Sequence, residues 1–265
     1  MLARRTVLKG LAATTLLPAI GTAGWQSRAL AGSGATPVQP DTIKTTSGDL
    51  VVQPVNHACL ILTFGSDVIC IDPVGGGDRY KSFNKPTAIL VTHAHPDHFD
   101  VPTLTAIAGS AKVIVAPKVV IDGLPAELKA KARLMANGDS GTVNDILVKA
   151  VPAYNITPDR LKYHPKGVGN GYVLSFGEKK LYVAGDTEDT PEMRALTGID
   201  VAFLPMNLPY TMTGEQAAAA AKAFKPKIVY PYHYGENGAE PKNFAAAMQG
   251  VPDIEVRQRD WYAYG

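Results

Sequence analysis

The chain is short of cysteine, has no long uninterrupted apolar run, and lacks a basic tract; each shortage excludes a class of protein. Its 265 residues include two cysteines, Cys59 and Cys70. That is too few for a disulfide-stapled scaffold, and their C-x₁₀-C separation matches no cysteine metal site. If Gly65-Ser66 forms a two-residue hairpin turn, Ile61 opposes Cys70 and Cys59 opposes Asp72. The thiols then share a face in a diagonal relation wider than a disulfide prefers, so two buried free cysteines are expected. No apolar stretch reaches membrane-spanning length without interruption. Lys and Arg number 26 against 24 Asp and Glu, but four of the bases, Arg4, Arg5, Lys9 and Arg28, lie in residues 1–31, which hold no acid. The remainder carries 22 bases, 24 acids and a formal charge of −2. With no basic tract left, nucleic acid is not an expected partner.

What is present begins with an address. Arg4-Arg5-Thr6-Val7-Leu8-Lys9 is a twin-arginine pattern, an apolar segment follows over 11–20, and Ala29-Leu30-Ala31 offers an A-x-A cleavage site. Residues 1–31 therefore read as a bacterial twin-arginine export signal, with a periplasmic or secreted product and no membrane anchor after cleavage. That route carries folded proteins, which suits one that acquires a metal before export. Residues 32–48, rich in Gly, Ser, Thr and Pro, read as a flexible leader, and 49–265 as one folded domain.

Within that domain short β-type runs are expected at 50–55, 59–64, 68–71, 88–91, 112–116, 146–151, 172–176, 180–184, 201–204, 228–230 and 254–257. Helices are expected over 101–109, 126–136 and 244–249, and a long loop over 154–171. Thr213-Gly214-Glu215-Gln216 is a capping box that opens an alanine-rich helix ending at Phe224. Helices and strands interleave without a composition break, which argues for two packed sheets with helices outside. No internal repeat is evident.

The chemistry concentrates in Thr92-His93-Ala94-His95-Pro96-Asp97-His98-Phe99-Asp100, with three of the six histidines in six residues. An apolar run, Ala88-Ile89-Leu90-Val91, precedes it, and Asp100 is placed to cap the helix that follows. The cluster thus falls on a strand-to-helix loop. Imidazole and carboxylate are the ligands that zinc and its neighbours prefer. Histidines two apart at a strand end point to one side, and Asp97 and His98 follow after a turn, where they can serve a second centre. Asp186, after Leu181-Tyr182-Val183-Ala184-Gly185, and His233, after Ile228-Val229-Tyr230-Pro231-Tyr232, occupy similar strand-end positions. His164 lies in Tyr163-His164-Pro165-Lys166-Gly167 on the long loop.

Thr-His-Ala-His-Pro-Asp-His, Ala-Gly-Asp-Thr and Pro-Tyr-His-Tyr, in this order, resemble the metallo-β-lactamase superfamily over residues 50–235. Asn56-His57-Ala58 and Ile71-Asp72-Pro73 resemble the branch similar to L-ascorbate-6-phosphate lactonase and, more distantly, to N-acylphosphatidylethanolamine-hydrolysing phospholipase D. The resemblance implies a four-layer αββα sandwich. It implies one metal held by His93, His95 and His164, and a second by Asp97, His98 and His233, with Asp186 between them. The ions would be two divalent metals, zinc foremost, with manganese or iron as substitutes. Many members place the third histidine directly after the strand. Here that strand ends Val151-Pro152-Ala153-Tyr154-Asn155, and His164 comes nine residues after Asn155, so it must reach back.

The expected activity is metal-assisted hydrolysis of an ester-like bond in a small molecule, such as a lactone or phosphodiester, with Asp97 and His98 as the catalytic pair. His57, Asn155, Lys166, Asn207, Tyr210 and Tyr234 are candidates to border the substrate pocket. Three rival classes compete with this reading. A metallo-nuclease conflicts with the negative charge and the absence of a long insertion. A flavin-linked oxidoreductase needs a further domain, for which no residues follow 265. A non-catalytic periplasmic metal-binding protein would use the same ligands, and a substrate panel separates it from an enzyme.

Overall fold

Runs of aliphatic and β-branched residues, broken by Gly, Pro and Asn turns, give this chain fourteen strands among the residues described, 38–236 and 238–263, in the computed structural model. They form two seven-stranded sheets. The first contains, in chain order, β1 (Asp41–Thr45), β2 (Gly48–Asn56), β3 (Cys59–Phe64), β4 (Asp67–Ile71), β5 (Ala88–Leu90), β6 (Val113–Ala116) and β7 (Ala132–Leu134). The second contains β8 (Ser140–Val143), β9 (Ile146–Ala153), β10 (Gly169–Phe176), β11 (Lys179–Val183), β12 (Val201–Pro205), β13 (Ile228–Tyr232) and β14 (Glu255–Val256). In each sheet the first four strands are an antiparallel meander and the last three run parallel, joined by crossovers. The architecture is therefore duplicated, although the sequence showed no repeat.

Alternation along the strands explains the layers. Leu50, Val52, Leu60, Leu62, Ile69 and Ile71 face Val148, Tyr172, Leu174, Val183, Phe203 and Tyr230 in the core between the sheets. The opposite face of the first sheet, with Cys59, Ile61, Cys70, Ile89 and Val91, packs under α1 (Val101–Ile107), α2 (Lys118–Gly123) and α3 (Ala126–Lys129). The outer face of the second sheet meets α4 (Pro191–Arg194), α5 (Gly214–Phe224) and α6 (Glu240–Ala247). Two sheets with helices outside are thus the arrangement expected. The hairpin register is also as expected, with Ile61 opposite Cys70, and both cysteines are free and buried. No helix among the described residues is long and apolar enough to cross a membrane.

The export signal expected over residues 1–31 lies outside the described residues. Within them, several expectations need correction. The leader expected over 32–48 is structured from Asp41, because β1 pairs with β2 in the register Ile43–Leu50. Ile43 is the only buried residue of β1, too little for a period-two signal, and Asp41 ties the strand to Tyr230 and Arg259 through hydrogen bonds of 2.8 and 2.6 Å. The helix expected over 126–136 stops at Lys129, and Ala132–Leu134 instead adds an edge strand to β6. Helix-forming residues yield there to the open hydrogen bonds of a sheet edge. Also unanticipated were β8 and α2, the latter formed by a β-branched stretch with only Val120 buried. The last helix begins at Glu240 rather than at 244.

Close main-chain approach decides two positions beside the strand ends. Gly185 has φ 65°, and a Cβ there would stand 2.7 Å from the Asn170 carbonyl oxygen. At Gly171 a Cβ would meet the carbonyl oxygens of Ala184 and Val183 at 2.6 and 2.9 Å. Gly171→Ala should therefore overpack against main chain and cost ~1–3 kcal/mol. A thermal melt should fall by about 2–4 °C for each kcal/mol lost in a domain of this size.

Candidate metal centre

The parallel strands of both sheets release their chains at one edge, and every histidine of the protein converges there. After β5 the chain enters the loop that carries His93, His95, Asp97 and His98. After β11 the turn at Gly185 presents Asp186, and β13 ends directly before His233. In one group, His95 Nδ1 lies 3.0 Å from His93 Nε2 and 3.2 Å from His164 Nε2, while Asp186 Oδ2 is 3.2 Å from His164 Nε2 and 3.8 Å from His93 Nε2. In the other, Asp97 Oδ2 is 3.1 Å from His57 Nε2, 3.4 Å from His233 Nε2 and 3.7 Å from His98 Nε2. Asp186 Oδ1 reaches this second group, 3.3 Å from the Nε2 atoms of both His98 and His233. One carboxylate thus divides its two oxygens between two donor sets.

These atoms fit a pair of cations. His98 Nε2, His233 Nε2 and Asp186 Oδ1 are buried and lack hydrogen-bond partners among the described residues, although they stand within 3.3 Å of one another's groups. Each of the two groups has four donor atoms lying within 4.8 Å of one another. Neutral imidazole and carboxylate are zinc-type ligands.

Neighbouring groups set which ring nitrogen is free. The Asp72 carboxylate accepts from the Thr92 amide and hydroxyl, both at 2.7 Å, and from His98 Nδ1–H at 2.8 Å. Because the Thr92 hydroxyl donates to Asp72, it accepts from His93 Nδ1–H, 2.9 Å away. His164 Nδ1–H donates to the Tyr210 carbonyl at 3.0 Å. In each case Nε2 is left facing the site. His57 Nδ1 lies 2.8 Å from the Tyr262 hydroxyl. Asp72, His57 and His233 have φ of 49°, 51° and 46°, backbone that costs of order 1–3 kcal/mol each unless its surroundings hold it. They do: His57 N–H donates to the Trp261 carbonyl at 3.0 Å and His233 N–H to the His57 carbonyl at 3.1 Å.

Electrostatics sort the rings. Burial, reinforced by the neighbouring His98, pushes His93 well below its ordinary value, and burial also lowers His95 and His57. These imidazoles are neutral at pH 7, the form that binds a cation. Burial would lower His98 too, but the carboxylates of Asp186 and Asp72 outweigh it and raise it. Burial would raise Asp186 and Asp97, yet the surrounding imidazoles hold both carboxyl groups below the usual carboxylate range.

His164 reaches back because its loop is tied at several points. Asn155 N–H donates to the His164 carbonyl at 2.8 Å. The buried Glu188 carboxylate accepts from the amides of Ile156 and Thr157, from the Thr157 hydroxyl and from Arg160, at 2.6–2.8 Å. Neither Glu188 nor Tyr262 was foreseen; Glu188 carries no motif, and Asp72 had only its strand-end position as a signal. Asp100 stands at the N-cap of α1 as expected, but its carboxylate takes the Thr103 hydroxyl and Gly75 amide instead of capping the helix amides.

The expected pocket residues are not among those lining the cavity beside the first group. A cavity of about 140 Å³ beside the first group is lined by Ala94, Val119, Ala153, Tyr163, Pro165, Val168 and Gly169 together with His93, His95, His164 and Asp186. Asn155 is a buried brace that donates to the Tyr210 and Arg160 carbonyls. Lys166 pairs with Glu192 and the Tyr154 hydroxyl. Asn207 shapes a turn with Tyr210 and Thr211. Tyr234 donates to the Arg259 carbonyl, and Tyr210 serves through its main chain. His57 is a member of the second donor group. Long polar side chains on loops satisfy one another before they line a cavity.

A family model described as a β-lactamase superfamily domain matches residues 52–233. A UPF0173 metal-dependent hydrolase of Pyrococcus abyssi is 32% identical over 208 residues, spanning 73% of this chain and 89% of its own. A crystal structure from Parabacteroides distasonis, assigned as a metal-dependent hydrolase, is 42% identical, spans 84% of this chain and 99% of its own, and superposes with a TM-score of 0.76. Igni18, a metallo hydrolase of the archaeon Ignicoccus hospitalis, shares the fold at 24% identity and a TM-score of 0.66, over 80% of this chain and 95% of its own.

The Glu188 tether holds the loop that carries His164. Glu188→Ala should weaken metal binding at the group containing His164 by about 10–100-fold, as loss of an outer partner does. Calorimetric titration with zinc should show one of two steps weakened by that factor, and two steps unchanged from the parent protein would count against the tether.

Proposed function

The chain belongs to the UPF0173 metal-dependent hydrolases of the metallo-β-lactamase superfamily, and on that footing we propose that it hydrolyses an ester-like bond of a small molecule with two divalent cations, zinc foremost, held by the two donor groups. The observation that carries this reading is the division of Asp186, with Oδ2 at 3.2 Å from His164 and Oδ1 at 3.3 Å from both His98 and His233. Such an ion pair, when bound, supplies an acidified water and polarises a carbonyl or phosphoryl oxygen.

The chain's own groups then have separable tasks. His93, His95 and His164 hold one cation, and His98, His233 and Asp97 the other. His57, with Nε2 3.1 Å from Asp97, either completes that second set or anchors its carboxylate. Asp97 has a side chain 48% exposed, against 3% for Asp186, so it is the acid at the mouth that accepts a hydrogen bond from an entering water and orients it. The likeness of Asn56-His57-Ala58 and Ile71-Asp72-Pro73 to the L-ascorbate-6-phosphate lactonase branch puts lactones first among the candidate bonds, with phosphodiesters as the runner-up.

A panel of lactone, phosphodiester, β-lactam and thioester substrates tests the reading. Chelator-treated protein should lose turnover of whichever is cleaved and regain it at two zinc ions per chain. His95→Ala and Asp186→Ala should lose both metal and turnover. Full activity in metal-free protein would overturn the proposal.

Residues 1–31 carry a separate proposal, that the protein is exported in folded form. Substituting Arg4→Lys together with Arg5→Lys should retain the uncleaved precursor in the cytoplasm, as fractionation and immunoblotting would show; normal export of the double variant would refute it.

A further inference from the structure

We propose that the cavity beside the first donor group is an acyl pocket, taking an uncharged apolar group of about four to six carbons attached to the scissile carbonyl. This rests on the hydrolase reading and names its substrate class. Apart from the donors, the wall consists of Ala94, Val119, Ala153, Tyr163, Pro165 and Val168, with Gly169 contributing main chain. No lysine or arginine lines it. The lysine carried by the same loop, Lys166, is taken by Glu192 at 3.0 Å and lies over the Tyr154 ring at 4.6 Å. Arg160, also on that loop, is held by Glu188 at 2.8 Å. Away from the donors, a charged substituent would be desolvated with no lysine or arginine to pair with it, which is costly, whereas an alkyl group would lose nothing.

Exposure points the same way. Val119 and Val168 are 39% and 40% exposed although both line the cavity, so apolar surface is left at its mouth. Tyr163 is packed edge-on against Tyr210 with ring centroids 5.0 Å apart, and Tyr210 is itself 45% exposed. Apolar surface exposed at the rim of a site is surface that an apolar ligand can cover. At about 140 Å³ the cavity is close to the size that admits benzene in an engineered core, about 150 Å³, and this sets the carbon count.

The test measures affinity, independently of turnover. Zinc-loaded protein is titrated calorimetrically with acetohydroxamate, butyrohydroxamate and hexanohydroxamate, whose common head binds metal and whose tails differ. Affinity should rise about fourfold per methylene, the factor that ~0.8 kcal/mol per buried methylene corresponds to. At equal zinc content, Val168→Asp should abolish the rise, Val168→Ala should shrink it, and Leu147→Asp, on the exposed start of β9, should leave it intact. A flat series would overturn the pocket. p-Nitrophenyl butyrate is assayed alongside. Tail-dependent binding without turnover of this ester or of any substrate in the panel keeps the pocket and removes the hydrolase reading; turnover with a flat series does the reverse.

Discussion

The structure depends on one carboxylate shared between two sets of imidazoles. Asp186 can present one oxygen to His93 and His164 and the other to His98 and His233 only if strand ends from both sheets arrive at one edge within a few ångströms. Both sheets meet that requirement in the same way, with an antiparallel meander followed by parallel strands. Parallel strands place their carboxyl ends together, and loops leaving them are free to carry ligands while the strands stay rigid. The close passage of Gly185 and Gly171 against neighbouring main chain is the local expression of the same demand.

Around that carboxylate lies a set of tethers that do no chemistry but decide where the chemistry is. Asp72 and Thr92 fix two rings from below, and Glu188 folds back the loop that carries His164. The last described segment closes the opposite side: the buried Trp261 indole donates to the Pro231 carbonyl, and the adjacent Tyr262 hydroxyl meets His57. Left-handed backbone at Asp72, His57 and His233 fits the same pattern, since strain survives where many contacts over-determine a residue.

The elements legible from sequence were those with a short-range signature. H-x-H-x-D-H marks its own chemistry in six residues, and a buried β-branched run before it locates it on a strand end. Asp186 and His233 could be found by asking the same question of other strands. The Cys59 and Cys70 relation followed from hairpin arithmetic, and the helix at Thr213 from its capping box. What stayed hidden was decided at long range. Glu188 acts on residues about thirty positions away, and Tyr262 on one more than two hundred away. The strands β1 and β7 exist because sheet edges recruit them, against weak or opposing local preference. The loop lysine, asparagines and tyrosines expected to border the pocket show a related effect, since each has a near partner within the fold.

This clustering also links the site to folding. His57 and His233 have ring centroids 3.9 Å apart, and His98 stacks on His233 at 4.9 Å, so imidazoles that repel when protonated are held in contact. His98 Nε2, both His233 nitrogens and Asp186 Oδ1 are desolvated without hydrogen bonds among the described residues, an arrangement that a buried polar group tolerates poorly. The fold therefore carries an electrostatic cost at this edge that hydrophobic packing between the sheets must offset. A cation bound in the group around His98 and His233 removes that cost by satisfying the same atoms, so its binding free energy adds directly to the stability of the native state. The donor geometry that suits catalysis is thus also the feature that makes a metal part of the fold, and it explains why the surrounding tethers are so dense: without them, the rings would relax apart.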